Sequence, residues 1–521
     1  MMFRRAALLA GIAGFSLGAA PASGPVDILI RGGTIYTGDA APFVGDVAIS
    51  GDRIRALGRG LKLPARKTID ARGLVVAPGF IDPHTHAGAQ LASDDAATRL
   101  IPGFLMQGVT TAFIGNDGGG DPDVRTVLAR AATKPVGINY AAYVGLDPVR
   151  KKVVGEGDRA PTADELAAMK QLVAGAMCQG ALGFSTGLFY APQSFAGKDE
   201  IVSLAREAAT RGGVYDTHLR DESSYTIGLS AAVDEAIAIG REAGLPVNIS
   251  HIKALGVDVH GQAPAIIAKI ERARAAGKRV TADQYPWSAS GTSLVASLVP
   301  LWAQDGGRAA MLKRFDDSTL GERLRAGITD NLRRRGTAAA LLITEGEHRG
   351  RTLAQVAAAR GEDPVAAAIA VIRVKDPAVA SFNQTEEDIA AFMRRPWVMT
   401  GSDASTGHPR SYGSFARKYS EYVVKRQVLT LREFLHRSST LTADTFRLSG
   451  RGRLAPDAYA DIVLFDPKHF AEQATYEQPA LLAAGVRAVV VNGVLAVDNG
   501  TPTGAAAGRA LAHTPTPGRC G

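Results

Sequence analysis

The stretch Pro78-Gly-Phe-Ile-Asp-Pro-His-Thr-His86 decides how the rest of the chain is interpreted. It follows an apolar run, residues 74–77, so the pattern is typical of the end of a buried strand. Side chains on a strand alternate between its two faces, and His84 and His86 therefore point to the same side. Two imidazoles at the carboxyl end of a strand can bind one metal ion. The same spacing also occurs where two polar residues simply close a strand, so the remaining sequence has to decide between the two interpretations.

The bulk composition is that of an ordinary folded protein with a large core. The 521 residues are 46% hydrophobic and 21% charged, and a barrel with a small appended domain fits this length. The net charge is +8, but the longest basic cluster, residues 333–335, has no interleaved aromatic residues. This pattern disfavours a nucleic-acid partner. No segment after the leader has eighteen uninterrupted apolar residues, so no stable membrane span is predicted.

The first 24 residues have the pattern of a secretory signal peptide. Arg4 and Arg5 precede an apolar segment, residues 6–20, and small residues follow at 21–24. No cysteine stands directly after the apolar segment, so no lipid attachment site is predicted. We therefore expect an exported protein, either periplasmic in a bacterium or secreted.

The chain contains only two cysteines, Cys178 and Cys520. The first lies in a helix-like run and the second at the extreme C-terminus. This placement does not indicate a disulfide framework. We therefore expect an exported enzyme without disulfides.

Short strand-like runs alternate with turns at both ends of the chain. Residues 26–77 have the turn chemistry of hairpins, and a similar pattern returns in residues 460–497 around an Asn-Gly turn. We predict that the two ends combine into one small β-sandwich, made from residues 25–77 and 445–515.

Between the two ends, strand-like runs alternate with Ala-rich helical segments, which is the pattern of βα repeats and a parallel sheet. The eight candidate strands are residues 79–84, 110–116, 137–144, 181–186, 214–219, 247–252, 280–285 and 397–402. The clearest helical segments are residues 164–178, 199–211, 230–243 and 264–276. Eight such units predict a closed (β/α)8 barrel of the TIM type over residues 78–444. Residues 288–396, between strands seven and eight, are predicted to be a largely helical insertion that forms a lid over the barrel mouth.

Possible metal ligands gather at the predicted carboxyl ends of these strands, where such barrels carry their active sites. Four of the ten histidines lie there together with two carboxylates: His84, His86, Asp117, His218, His251 and Asp403. Taken singly, each residue has an ordinary structural explanation, such as the capping of a turn or helix by Asp117 or Asp403. Six of them on one rim favour a metal site. Imidazoles and carboxylates are suitable ligands for zinc or a similar divalent ion, and such an ion activates water. A nearby carboxylate can then carry the proton during hydrolysis of an amide-like bond.

These motifs resemble the metal-dependent amidohydrolase superfamily and, within it, the N-acyl-D-amino-acid deacylases (D-aminoacylases). The superfamily features are PGFIDPHTH, a histidine on each of strands five and six, Gly-Ser-Asp on strand eight, and the ADIVLFDP…VVVNG ending. The subfamily features are residues 180–187 with Tyr190, 217–220, 249–253, 283–286 and 408–410. The resemblance covers essentially the whole mature chain and implies a small-molecule substrate, an N-acyl-D-amino acid whose amide bond is hydrolysed. A dipeptidase or cyclic-amide hydrolase of the same superfamily and a catalytically impaired binding protein remain alternatives.

The resemblance also implies roles for the metal-binding residues, with one or two zinc ions. One ion would be held by His84, His86 and Asp403. Asp403 would also be the general acid and base. His218 and His251 would hold the other ion together with a residue that is cysteine in the family and Asp117 here. No lysine in residues 181–190 can substitute as a carboxylated ligand, so the identity and number of the ions depend on Asp117.

The substrate would be recognised on the same rim. By the resemblance, Lys253 and Tyr285 would hold the α-carboxylate, and Tyr190 and Arg220 would line the site. An ion pair of Lys253 with a neighbouring aspartate is the structural alternative. The sequence does not indicate an oligomeric state.

Overall fold

The structure is a computed structural model that describes residues 24–520, so the predicted signal peptide lies almost entirely outside the described residues. Among the described residues, no helix is both long enough and apolar enough to cross a membrane. The strands are β1 (Val26–Ile35), β2 (Phe43–Ser50), β3 (Arg53–Gly58), β4 (Ala65–Asp70), β5 (Val75–Pro78), β6 (Phe80–Asp82), β7 (Val109–Ile114), β8 (Asn139–Ala142), β9 (Val144–Gly145), β10 (Gly183–Gly187), β11 (Val214–His218), β12 (Val247–Ile249), β13 (Val280–Gln284), β14 (Ala289–Ser293), β15 (Leu341–Ile343), β16 (Ala378–Phe382), β17 (Val398–Thr400), β18 (Ile462–Phe465), β19 (Val486–Val491), β20 (Val494–Asp498) and β21 (Thr501–Pro502).

Nineteen α-helices among the described residues connect these strands. They are α1 (Gly88–Ala92), α2 (Ala96–Arg99), α3 (Pro102–Leu105), α4 (Val124–Thr133), α5 (Leu146–Val153), α6 (Ala163–Cys178), α7 (Lys198–Thr210), α8 (Leu229–Ala243), α9 (Ala263–Ala275), α10 (Leu294–Leu298), α11 (Leu301–Gln304), α12 (Gly307–Asp316), α13 (Gly321–Arg334), α14 (Leu353–Arg360), α15 (Pro364–Val374), α16 (Glu386–Met393), α17 (Arg410–Arg417), α18 (Leu431–Leu435) and α19 (Leu441–Phe446). Two 3-10 turns, Gln193–Phe195 and Ala338–Ala340, and two π-helical segments, Lys418–Lys425 and His436–Thr440, complete the set.

The two ends of the chain share one nine-stranded sheet. Its order is β21-β20-β19-β18-β5-β1-β2-β3, with β4 also paired to β1. The antiparallel pairing of β18 with β5 joins the C-terminal strands to the N-terminal ones. Asn492 and Gly493 both have positive φ at the turn between β19 and β20, as an Asn-Gly hairpin turn requires. The sheet leads through β5 directly into the barrel strand that precedes His84.

The central strands form the (β/α)8 barrel that the sequence predicts. They pair in parallel in the orders β6-β7-β8 and β9-β10-β11-β12-β13-β17, and a parallel bridge between Thr85 and Ala404 joins the first strand to the last. Each of the eight predicted strands is present. The four helices named from the sequence begin and end within one residue of prediction, as α6 to α9. Thr162 forms a capping box with Glu165 and fixes the start of α6.

Within the predicted insertion, residues 288–396, the helices α10 to α15 and the strands among them share a hydrophobic core of their own and are called the subdomain below. These strands form a small antiparallel sheet, β14-β16-β15, that the sequence analysis did not predict. The reason is that β14 is Ala-Ser-Gly-Thr-Ser, without an apolar alternation, and β15 has only three residues. Leu298, Ile328 and Ile343 are fully buried in this core. The subdomain is therefore a second folded wall above the barrel mouth.

The C-terminal tail runs across the barrel and is fixed by a disulfide. Tyr140 N–H of β8 donates to the carbonyl oxygen of Arg509, and its carbonyl oxygen accepts from Leu511 N–H. Further along the tail, His513 N–H donates to the carbonyl oxygen of Gly180. Cys520 is bonded to Cys178 at the end of α6. The expectation of a protein without disulfides was wrong, because the cysteines are 342 positions apart and no local pattern indicates that the tail returns to α6.

Candidate active site

A cavity of about 440 Å³ lies where the carboxyl ends of the barrel strands face the subdomain. From the barrel it is lined by the predicted residues His86, Asp117, Tyr190, His218, His251, Lys253, Tyr285 and Asp403. The subdomain supplies residues 290–293 of β14, together with Thr344, Glu345 and Val379. Its shape and composition are those of a small-molecule site, with an apolar wall and convergent polar groups at one end.

Asp117 lies at the centre of the predicted metal-binding residues. Its Oδ1 is 3.4 Å from Nε2 of His84 and 3.4 Å from Nε2 of His251, and its Oδ2 is 3.4 Å from Nε2 of His86. Both ring nitrogens of His84 and Oδ1 of Asp117 are buried and have no hydrogen-bond partner among the described residues. Unpartnered buried donors and acceptors are rare in proteins, and two of these atoms, Nε2 of His84 and Oδ1 of Asp117, face each other at 3.4 Å.

Asp403 and His218 flank this centre on opposite sides. Oδ1 of Asp403 is 3.2 Å from Nε2 of His86, and its other oxygen, Oδ2, is 2.7 Å from Nη1 of Arg410. On the other side, Nδ1 of His218 is 2.9 Å from Nε2 of His251. Two groups of possible ligand atoms, each within a span of 4.8 Å, thus share His251. The first is His84, Asp117, His251 and Asp403, and the second is His218, Glu222 and His251.

The charges in this cluster suit a bound cation. Burial lowers the pKa of His218 to about 4, so this imidazole is neutral at neutral pH. Burial and the Lys253 ammonium also act to lower the pKa of His251, but the surrounding carboxylates outweigh both and raise it to about 10. Burial opposes ionisation of Asp117, yet the imidazoles around it hold its pKa well below the ordinary value. Protons on the imidazoles therefore balance the negative charge of the carboxylates in this cluster. A divalent ion can take the place of those protons.

Three residues of the cluster have left-handed backbone conformations. The φ angles are 53° at Asp117, 35° at His251 and 49° at Asp403. Such conformations cost about 1–3 kcal/mol each and are found where the surroundings impose them. Here Asp403 N–H donates to the carbonyl oxygen of His84, and His251 N–H donates to Oδ1 of Asp283. The barrel thus holds these side chains inward at a cost in backbone energy.

Lys253 and Tyr285 lie beside the cluster. The ammonium of Lys253 donates to Oε1 of Glu222 at 2.6 Å and also contacts Nδ1 and the carbonyl oxygen of His251. The Tyr285 hydroxyl accepts a hydrogen bond from Gln384, and burial keeps its pKa well above the ordinary value, so it retains its proton. Tyr190 packs on His218 with ring centroids 4.9 Å apart.

Arg220 does not line the cavity with these residues. Its guanidinium forms a bidentate pair with Glu235 of α8 and donates to the carbonyl oxygens of Ser194 and Ala196. It therefore braces the loop that carries Tyr190. Its predicted role at the substrate rim stays a prediction.

The sequence analysis assigned no role to two residues that the structure brings into the site. Glu222 pairs with Lys253, where an aspartate had been considered, and its Oε1 is 3.2 Å from Nδ1 of His251. Arg410 is buried against Asp403. A signal existed for each, since Glu222 follows His218 by four residues and Arg410 belongs to the His-Pro-Arg motif.

The sequence profile of the amidohydrolase family matches residues 67–497. The chain belongs to this family. This amidohydrolase is 34% identical to the D-aminoacylase of Alcaligenes xylosoxydans xylosoxydans, over 94% of this chain and 99% of the relative. The crystal structure of N-acyl-D-glutamate deacylase from Bordetella bronchiseptica, complexed with zinc and a phosphonate that mimics the tetrahedral intermediate, is 31% identical. It matches 94% of this chain and all of that chain with a TM-score of 0.80. A D-aminoacylase structure described for its binuclear metal center is 32% identical, with the same coverage and TM-score.

Proposed function

We propose that this amidohydrolase cleaves the amide bond of N-acyl-D-amino acids and releases a carboxylate and the free D-amino acid. The observation that carries the proposal is the histidine and carboxylate cluster around Asp117, in the same cavity as Lys253 and Tyr285. The similarity to deacylases of N-acyl-D-amino acids over nearly the whole chain supports the same reaction and the D configuration.

We further propose that the cofactor is zinc, as one or two ions. The unpartnered atoms of His84 and Asp117 and the two groups that share His251 fit such ions. When bound, zinc acts as a Lewis acid that polarises the scissile carbonyl and favours ionisation of water. Since Asp117 stands where the family has cysteine, a carboxylate replaces a thiolate, which is the softer ligand.

Asp403 is the residue best placed to move the proton. Arg410 holds one of its oxygens, and the other faces His86. Burial opposes its ionisation, but Arg410 and the nearby histidines lower its pKa, so Asp403 is ionised at neutral pH and its free oxygen can serve as a proton acceptor. In amide hydrolysis Asp403 takes a proton from the attacking water and delivers it to the leaving nitrogen, which leaves as an amine.

Lys253 and Tyr285 are placed to hold the α-carboxylate. The Tyr285 hydroxyl has its own proton to donate, because Gln384 is the donor in their hydrogen bond. Lys253 donates to Glu222 and to the carbonyl oxygen of His251 and also contacts Nδ1 of His251, so the substrate carboxylate must replace one of these contacts. The Lys253 ammonium also lies 5.7 Å from the Tyr285 ring centroid, so both groups can reach one carboxylate.

The proposed location of the protein is outside the cytoplasm. The disulfide between Cys178 and Cys520 supports this, because disulfides persist mainly in oxidising compartments. The N-terminal sequence gives the same indication independently.

The test is a hydrolysis screen of N-acetyl-D-amino acids, their L enantiomers and dipeptides with the purified protein. We expect release of free amino acid from the D compounds, zinc in the protein by elemental analysis, and loss of activity on chelation that zinc restores. Preferential cleavage of dipeptides or L compounds would contradict the proposed substrate. A protein without metal whose activity resists chelation would contradict the mechanism.

A further inference from the structure

We propose that Arg335 forms an anion-binding subsite in the wall of the active-site cavity, so that the preferred substrate carries a second anionic group on an apolar stem. The inference rests on the proposed function, since it concerns which N-acyl-D-amino acids the same cavity selects. In the sequence Arg335 is only the last residue of the basic cluster 333–335, and in the structure it follows the last residue of α13 in the subdomain.

The guanidinium of Arg335 is buried without a carboxylate partner. The residue is 1% exposed and lines the cavity. Its Nε donates to the Tyr225 hydroxyl at 2.7 Å, and its Nη1 has no hydrogen-bond partner among residues 24–520. The two preceding arginines are paired, Arg333 with Asp258 and Arg334 with Asp330. A buried cation without a counter-charge is costly, and a ligand anion would remove that cost.

The other cationic side chains of the cavity already have partners. Lys253 is bonded to Glu222, and Arg410 lies against Asp403. Glu345 also lines the cavity from the subdomain, but it forms no ion pair with Arg335 or with any other described residue, and it is partly exposed to solvent. Among the arginines and lysines that line the described cavity, Arg335 is therefore the one that lacks a carboxylate.

An apolar wall leads from the metal-binding cluster to Arg335. The Phe189 ring lies 5.7 Å from the His218 ring and 5.2 Å from the Tyr225 ring, measured between centroids. Arg335 contacts the far side of this wall, with its Cζ 5.7 Å from the Tyr225 ring centroid. Leu255 also lines the cavity. Methylene groups of a bound substrate can pack on this wall while a terminal carboxylate reaches the guanidinium.

Arg335 is fixed relative to the reacting groups. Val257 N–H donates to the carbonyl oxygen of Arg334, and Arg335 N–H donates to that of Asn331. The loop that holds Arg335 is thus bonded to the loop that follows His251 and Lys253. A fixed position favours recognition of one stem length over others.

The second anion could belong to the side chain of the amino acid or to the acyl group. Two matched pairs of substrates distinguish these sources. N-acetyl-D-glutamate and N-acetyl-D-methionine differ in the charge at the end of the side chain. N-glutaryl-D-alanine and N-pentanoyl-D-alanine differ in the charge at the end of the acyl group.

The experiment measures kcat/KM of the zinc-loaded wild type, Arg335→Gln, Arg335→Lys and Glu345→Gln on all four substrates. We expect the wild type to prefer the anionic member of one pair. Arg335→Gln should lower kcat/KM for that member about 10–100-fold, mainly by raising KM. For the neutral member, kcat/KM of the variant should stay within about threefold of the wild-type value. Lysine keeps the charge but not the bidentate geometry, so Arg335→Lys should lie in between. Glu345→Gln is the matched control from the same subdomain, and it should leave the preference unchanged or increase it.

Loss of activity on all four substrates in equal measure in Arg335→Gln would overturn the subsite, as would a wild type without preference in either pair. If Arg335→Gln does not fold, the subsite is tested by the substrate preference of the wild type and by the change of that preference in Arg335→Lys. Calorimetric binding of the four compounds separates the subsite from the proposed function. If the wild type hydrolyses none of the compounds but binds one anionic compound, and Arg335→Gln loses that binding, the subsite is supported and the proposed reaction is refuted.

Discussion

Replacement of Asp117 by asparagine should remove most of the affinity of this amidohydrolase for zinc. The substitution keeps the size of the side chain but removes the charge at the point where three imidazoles converge within 3.4 Å. Loss of a residue that merely supports a metal ligand costs about 10–100-fold in affinity. A residue that itself faces the ion must cost more, so we expect Kd to rise by more than about 100-fold, which is about 2.7 kcal/mol or more.

The assay is a competition titration of the metal-free protein with a chromophoric zinc chelator. Asp121→Asn is the matched control, because Asp121 lies on the same loop, carries the same charge and is exposed. A Kd for Asp117→Asn within about threefold of the wild type would refute the central position of this carboxylate. Asp117→Cys extends the test, since a thiolate is the softer ligand and should retain zinc more tightly than the carboxylate.

Three further predictions concern the proton carrier, the tail and the loop brace. Asp403→Asn should lower kcat by about 100–10,000-fold in hydrolysis assays with one substrate, while circular dichroism shows that the protein remains folded. Near-normal turnover would exclude a proton-transfer role for Asp403. Replacement of both Cys178 and Cys520 by serine should lower the free energy of unfolding by about 2–4 kcal/mol, measured by denaturant titration against the oxidised wild type. An unchanged midpoint would mean that the hydrogen bonds of the tail suffice without the disulfide. Arg220→Gln and Glu235→Gln should raise KM to a similar extent if Arg220 acts by bracing the loop, whereas an effect of the Arg220 variant alone would indicate direct contact with substrate.

The barrel could be predicted from the sequence because its strands are buried on both faces. Such strands are short apolar runs between amphipathic helices, and β7 is buried at all six positions. The positions of the candidate metal ligands could be predicted for the same reason, since each lies at or just after the end of such a strand. The division of the chain at residues 77 and 445 and the individual roles of the site residues stay predictions.

What the sequence did not indicate depends on contacts between distant segments. Glu222 reaches Lys253 across 31 positions, and Asp403 is held by Arg410 only because the chain turns sharply after the last strand. The sheet of the subdomain lacks the apolar alternation that identifies strands. The disulfide depends on where the tail returns, and no local pattern contains that information.

The chemistry and the recognition of substrate have different structural foundations in this protein. The cluster around Asp117 is set by the closed barrel, whose strained backbone at His251 and Asp403 leaves little freedom for change. The opposite wall of the cavity belongs to a subdomain with its own core, so a side chain on it can be replaced without changing the packing of the barrel strands. It follows that substitutions at Arg335 should act mainly on KM, and substitutions in the cluster mainly on kcat and metal affinity. A subdomain variant that altered zinc affinity as strongly as Asp117→Asn would show that the two walls are coupled.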